Sequence, residues 1–263
     1  MLRSSLAVAF VAAAAMGLAA CGGGDSGSGS AASGGDTITV GTEGTYAPFD
    51  FHDPKTNTLT GYDVEVVNAV AKKLGKKVKY SEVTFDSIFA GLQSKRYDVV
   101  ADQISITPER QAKYSFSSPY TVSKGVIVTK AGDSSVHSLA DVKGKTSAQS
   151  VTSNWAQTAK DAGAKVESVE GLTQAMALLK QGRVDITIND SLAILDYLKT
   201  TGDQAVKISA ETGDKTEQGF AFRKDDTALA KQFDTALAEL RSDGTLAAIS
   251  KKWFGEDVSG AAS

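Results

Sequence analysis

Gly61-Tyr62-Asp63-Val64-Glu65-Val66 opens the segment whose reading decides the fold. Tyr62, Val66, Val70 and Leu74 recur every four residues, which lines one face of an α-helix with apolar side chains. Asp63 and Glu65 lie near the start and Lys72 and Lys73 near the end, where each sign complements the helix dipole, and Gly75 follows as a C-cap. A helix over 62–74 is predicted. Working outward, strand candidates over 38–41, 78–83 and 97–101 and a helix candidate over 85–94 surround it. Strands alternating with helices are the pattern of an α/β fold.

The rhythm resumes after Tyr120. Strands are predicted over 125–130, 145–149, 165–169, 184–188 and 219–222, and helices over 154–162, 172–181, 192–198, 227–241 and 245–253. No heptad or short-period repeat interrupts them. Gly144-Lys145-Thr146 has the ending of a phosphate-binding loop, but such a loop needs glycine where Leu139 stands, and it is rejected.

Of the 263 residues, 41% are hydrophobic and 22% charged, enough apolar material for one large domain or two modest ones. A net charge of -3 supplies no basic field for nucleic acid or for a polybasic membrane patch. The first residues differ from the rest: Arg3 begins a short positive region, residues 6–16 are almost wholly apolar, and Leu18-Ala19-Ala20-Cys21 follows. Cys21 is the only cysteine, so no disulfide forms within the chain. Residues 22–35 are a Gly/Ser/Ala tract with one Asp25, which reads as a flexible tether.

Leu18-Ala19-Ala20-Cys21 resembles the bacterial lipobox, which implies cleavage before Cys21 and a lipid on its sulfur. The folded part resembles the family 3 extracellular solute-binding proteins, the polar amino acid receptors of ABC importers. That resemblance rests on Tyr46-Ala47-Pro48-Phe49, the stretch 61–66 quoted above, Ser105-Ile106-Thr107-Pro108-Glu109-Arg110, Phe116-Ser117-Ser118-Pro119-Tyr120, Gly182-Arg183-Val184-Asp185 and Trp253-Phe254-Gly255, in the family's order. It implies an α/β, two-lobed periplasmic-binding-protein type II fold whose lobes are joined by two crossing strands, near 121–124 and 218–220. The expected organisation is a lipoprotein signal peptide over 1–20, the lipidated cysteine and tether over 21–36, lobe 1 over 37–121 plus 219–258, and lobe 2 over 122–218.

A free amino acid presents a carboxylate beside an ammonium, so a selective cleft needs a cation with hydrogen-bond donors and, close by, an anion. Thr107-Pro108-Glu109-Arg110 reads as N-cap, N1, N2 and N3 of a helix. Alone, Arg110 reads as a solvated first-turn arginine; the resemblance implies that it clamps the α-carboxylate, with Ser105 as a hydroxyl donor and Gln103 contributing mainly its backbone. The resemblance also implies that Asp190 pairs with the α-ammonium, although the residue doubles as an N-cap candidate for the next helix. Tyr46 and Phe85, which alone would pass for core residues, match the family's two aromatic positions around the ligand side chain. Glu43 matches a position that reads the side chain's polar end, and equally suits a solvated strand-end carboxylate. Ser153 matches a lobe-2 position, but Thr152-Ser153 replaces the family's usual Gly-Thr.

Glu43-Gly44-Thr45-Tyr46, Asp102-Gln103 and the ending over 252–258 resemble the cystine-binding branch, so cystine or cysteine is the favoured ligand. The expected protein is an extracytoplasmic, lipid-anchored monomer that delivers its ligand to an ABC permease, with no cofactor, metal or nucleic acid. Two rivals are a cyclohexadienyl dehydratase-like enzyme on the same fold and a ligand-binding sensor subunit. The enzyme needs a positioned acid and base. Glu43 and His52 are the available groups, and His52 is expected in an exposed loop over 50–57. Asp185 is expected to serve structure rather than ligand.

Overall fold

The computed structural model describes residues 36–260, apart from the side chain of Asp214; the predicted signal peptide, Cys21 and most of the tether lie outside the described residues. The chain begins with β1 (Thr37–Thr42), β2 (Thr45–Tyr46), β3 (Asp50–His52), β4 (Leu59–Thr60), α1 (Tyr62–Lys73), β5 (Lys77–Glu82), α2 (Phe85–Gln93) and β6 (Val99–Val100). A single-turn α3 (Pro108–Gln111), β7 (Tyr114–Phe116) and the long β8 (Thr121–Lys130) follow. Next come a 3-10 turn (Leu139–Val142), β9 (Thr146–Gln149), α4 (Asn154–Asp161), β10 (Lys165–Ser168), α5 (Leu172–Gln181), β11 (Thr187–Asp190) and α6 (Ser191–Thr201). The chain closes with β12 (Val206–Gln218), β13 (Ala221–Arg223), α7 (Thr227–Ser242) and α8 (Thr245–Phe254).

A five-stranded sheet in the order β5-β1-β6-β13-β7 takes strands from both ends of the chain. β1 runs parallel to β5 and β6, while the late strand β13 pairs antiparallel with β6 and β7. The core over this sheet mixes Val40, Tyr62, Val66 and Val70 with Phe220, Phe222, Phe233 and Leu237, so early and late segments bury one another's apolar faces. Strand alternation governs the other half. Val126 and Val128 face one cluster and Ile127 the opposite one, as a period of two requires when a sheet is covered on both faces.

β8 pairs antiparallel with both β11 and β12. Thr121 lies opposite Gln218, Ser123 opposite Thr216 and Lys124 opposite Lys215, so the two segments expected to cross between lobes run side by side. Strand β12 is far longer than the crossing anticipated from sequence. Its first half alternates Val206, Ile208 and Ala210 with polar residues, a signal the sequence reading passed over, whereas the polar, glycine-interrupted run over 211–218 carries no apolar alternation and takes its order from pairing with β8. β2, β3 and β7 were likewise unforeseen, being too short to show a period.

The opening stretch acts as a knot. Gly61 has φ 133, and a Cβ there would lie 2.1 Å from the carbonyl oxygen of Phe49, so no other residue fits without a shift. The Tyr62 hydroxyl donates to the Tyr120 carbonyl at 2.6 Å, tying α1 to the chain just before β8. Asp63 is buried with three donors on its carboxylate: the Gln103 N–H, the Gln103 Nε2 and the Tyr120 hydroxyl.

Candidate functional site

Strand ends and helix starts converge where the two halves face each other. Glu43 and Tyr46 follow β1, Phe85 opens α2, Gln103 follows β6, and Ser153 caps α4; all of them line one cavity of about 50 Å³. Ser105, Arg110 and Asp190 are not among its lining residues.

Gln103 occupies the left-handed region at φ 46, which disfavours a side chain and is held by the Asp63 carboxylate at 2.8 Å from its N–H and 2.6 Å from its Nε2. Its side chain is thus committed to the scaffold. Thr107 caps α3 as expected by accepting the Arg110 N–H at 3.3 Å. The guanidinium of Arg110 is 8% exposed, lies over the Phe85 and Phe89 rings at 5.9 and 5.3 Å, and donates to the Ser105 carbonyl at 3.0 Å. Among the described residues it forms no ion pair with a carboxylate. Burial pulls its pKa down to about 10.

Asp190 is 2% exposed and does cap α6, its Oδ1 accepting the Leu192 N–H at 2.8 Å. Its other oxygen accepts from the Ser123 hydroxyl and, at 3.4 Å, from Gln218 Nε2. Only neutral donors reach it, and burial lifts its pKa to about 6. Glu43 is half-buried rather than solvated, and burial raises it to about 7.

Several bonds span the two halves. The Tyr46 hydroxyl donates to Asn189 Oδ1 at 2.6 Å, the Thr152 N–H and hydroxyl donate to Asp86 Oδ1 at 3.0 and 2.8 Å, and Arg110 Nη2 reaches the Thr152 carbonyl at 3.4 Å. Thr152, which replaces the expected glycine, bridges the halves with both its donors. Ser153 accepts the Ala156 N–H at 3.0 Å and is spent on its helix.

Sequence reasoning missed Asp102, Gln149, Trp155 and Asn189 as lining residues. Asp102 and Asn189 adjoin residues that were singled out, while Gln149 and Trp155 lie at a strand end and in the first turn of a helix, where an α/β fold gathers ligand contacts. His52 lies on β3 rather than in a loop, its ring nitrogens taken up by the Asn57 carbonyl and Glu82, and it does not line the cavity. Asp185 accepts the Thr146 N–H at 2.7 Å, a structural bond. No group of three or more His, Cys, Asp or Glu residues among the described residues is placed to hold a metal ion.

Comparison with known proteins completes this picture. The L-cystine-binding protein TcyA of Bacillus subtilis is 53% identical over 268 residues, covering 98% of this chain and 100% of the relative. The structure of an ancestral arginine-binding protein bound to arginine is similar at a TM-score of 0.78 and 40% identity, covering 84% of this chain and 99% of that one. The L-cystine solute receptor of Neisseria gonorrhoeae, in its unliganded open conformation, is 48% identical yet has a TM-score of only 0.57, covering 85% of this chain and 94% of that one. In the present structure the bonds from Tyr46 to Asn189 and from Thr152 to Asp86 join the two halves across the cleft. The sequence matches the family over residues 38–256, and the chain belongs to the bacterial extracellular solute-binding proteins, family 3.

Proposed function

We propose that this chain captures a free polar amino acid, with cystine or cysteine favoured, outside the cytoplasmic membrane and delivers it to an ABC import permease. The observation that carries the reading is the buried Arg110 guanidinium, which has no carboxylate partner among the described residues, set on one lobe while the buried Asp190 carboxylate, held only by neutral donors, belongs to the other. A buried charge without a counter-charge is costly, and a zwitterion supplies both partners at once. In this reading Arg110 and Ser105 take the α-carboxylate, Asp190 the α-ammonium, Tyr46 and Phe85 flank the side chain, Glu43 reads its far end, and Gln103 and Ser153 shape the walls through the backbone. Lobe 1 comprises 37–121 plus 219–258 and lobe 2 comprises 122–218. Cys21 carries the lipid anchor, the tether spans 21–36, and the receptor works as a monomer. The relatives named for L-cystine support the ligand choice. His52, one of the two groups the dehydratase reading calls on, does not line the cavity.

Calorimetric titration of ligand-stripped protein against a panel of amino acids tests this. L-cystine should bind most tightly, and saturation by no amino acid in the panel would overturn the reading.

A further inference from the structure

Asp102 follows β6 at the floor of the cleft, is 1% exposed, lines the cavity, and has no hydrogen-bond donor on either carboxyl oxygen when it is ionised. Its neighbour is another carboxyl, Asp50 at the start of β3, which is fully buried. Asp50 Oδ1 accepts the N–H groups of Glu43 and Gly44 at 3.1 and 2.7 Å, while its Oδ2 has no donor either. Two buried carboxyls in hydrogen-bond contact cannot both be ionised cheaply; one proton between them satisfies an oxygen on each. The two backbone donors make Asp50 the better anion, so the proton resides on Asp102, whose O–H donates to Asp50 Oδ2. That leaves the other oxygen of Asp102, a residue that lines the cleft cavity, buried and without a hydrogen-bond partner.

We propose that Asp102 is a ligand-contacting carboxyl of this cleft, and that it releases the proton shared with Asp50 when a ligand brings a second cationic nitrogen, an ammonium or guanidinium beyond the α-ammonium, against its unpartnered oxygen. The proton passes from the Asp102 O–H to solvent as the ligand N–H begins to donate to the resulting carboxylate, and no other bond changes. The proposal rests on the amino acid reading and deepens it, since L-cystine carries such a second ammonium in its distal half. Burial, followed by the charges of Asp50 and Glu43, holds Asp102 well above the ordinary carboxylate range. The groups that face it are Asp50 and Glu43 around β1 to β3, Asp63 on α1, the guanidinium of Arg110 on α3, and the phenols of Tyr46, Tyr97 and Tyr120. Because binding expels a proton, affinity for a ligand with a second cation rises with pH until the pair is ionised.

Two measurements on wild type and Asp102→Asn test this. Asparagine at 102 keeps a donor toward Asp50 Oδ2, so the fold is retained. In the ligand-free protein with isotope-labelled aspartate carboxyls, nuclear magnetic resonance should show a carboxyl still protonated near neutral pH that disappears in Asp102→Asn; absence of that signal in wild type, or its survival in the variant, overturns the shared proton. Calorimetry with L-cystine and with L-arginine, in buffers of different ionisation heat, should show a proton release that Asp102→Asn lowers by roughly one per ligand, with affinity falling roughly tenfold. Binding with unchanged release and affinity in Asp102→Asn overturns the proposal alone, whereas wild type that binds no amino acid overturns the reading beneath it.

Discussion

Asp63 grips Gln103 twice, accepting its backbone N–H at 2.8 Å and its Nε2 at 2.6 Å, and so fixes a cleft-floor residue in the left-handed region. The Tyr120 hydroxyl completes the carboxylate's partners at 2.9 Å. Replacing Asp63 with alanine strands three buried donors, each costing about 1 to 3 kcal/mol when unmet. Denaturant unfolding should show Asp63→Ala destabilised by roughly 2 to 5 kcal/mol, with ligand binding weakened as Gln103 relaxes. A loss below about 1 kcal/mol would show that this knot does not brace the floor.

The buried carboxyls give stability a definite slope with pH. Burial raises Asp63 and Asp190 to about 6 and Glu43 to about 7, against roughly 4 in the unfolded chain. Between those values the folded state binds more protons than the unfolded one, so stability falls as pH rises from about 4 through about 7. Asp203 and Asp243, held at about 2 by Lys180 and Lys73, act oppositely: their contribution is present above roughly pH 4 and is lost as pH falls through 2. Ligand-free protein should therefore melt at a higher temperature at about pH 5 than at about pH 8. A flat or rising profile across that interval would contradict the assignment.

The bonds across the cleft are few and solvent-accessible enough to shift a population rather than lock it. Tyr46→Phe with Asp86→Ala removes the bond to Asn189 and both bonds from Thr152. At about 0.5 to 1.5 kcal/mol each, their loss should move the ligand-free ensemble toward open lobes. Solution scattering should give this variant a larger radius than wild type without ligand and the same radius at saturation. Equal radii throughout would remove these bonds from the closing device.

Lipidation at Cys21 is tested in cells. A fatty-acid probe should label wild type and leave Cys21→Ala unlabelled, and equal labelling of the two would sink the assignment. Protein lacking residues 1–35 should bind ligand undiminished, since the tether offers no side chain more apolar than Ala31 and Ala32 with which to join a core.

Much of the architecture was legible because it is encoded locally. The predicted helix over 172–181 coincides with α5, and the glycines that follow α1, α5 and α8 all take left-handed conformations. The second half of strand β12, over 211–218, was illegible because its order lies in the partner strand rather than in its own composition, while the alternation of Val206, Ile208 and Ala210 was a signal passed over. The site divides the same way. Thr107, Arg110 and Asp190 stand in recognisable helix-start patterns, whereas the contact of Asp50 with Asp102 arises only when β3 and the end of β6 are brought together, and no spacing in the sequence announces it.

The central claim, that Arg110 and Asp190 await the two charges of one zwitterion, is tested most directly by calorimetric titration of L-cystine into wild type, Arg110→Ala and Asp190→Ala. Each truncation leaves a ligand charge unpaired in a closed cleft, at a cost on the order of 2 to 5 kcal/mol, or roughly thirtyfold to several thousandfold in affinity. Lysine at position 110 keeps the charge but loses the planar fork, and should restore only part of the loss. The account predicts that both alanine variants fold and bind at least roughly thirtyfold more weakly than wild type; binding by either within about threefold of wild type would contradict it.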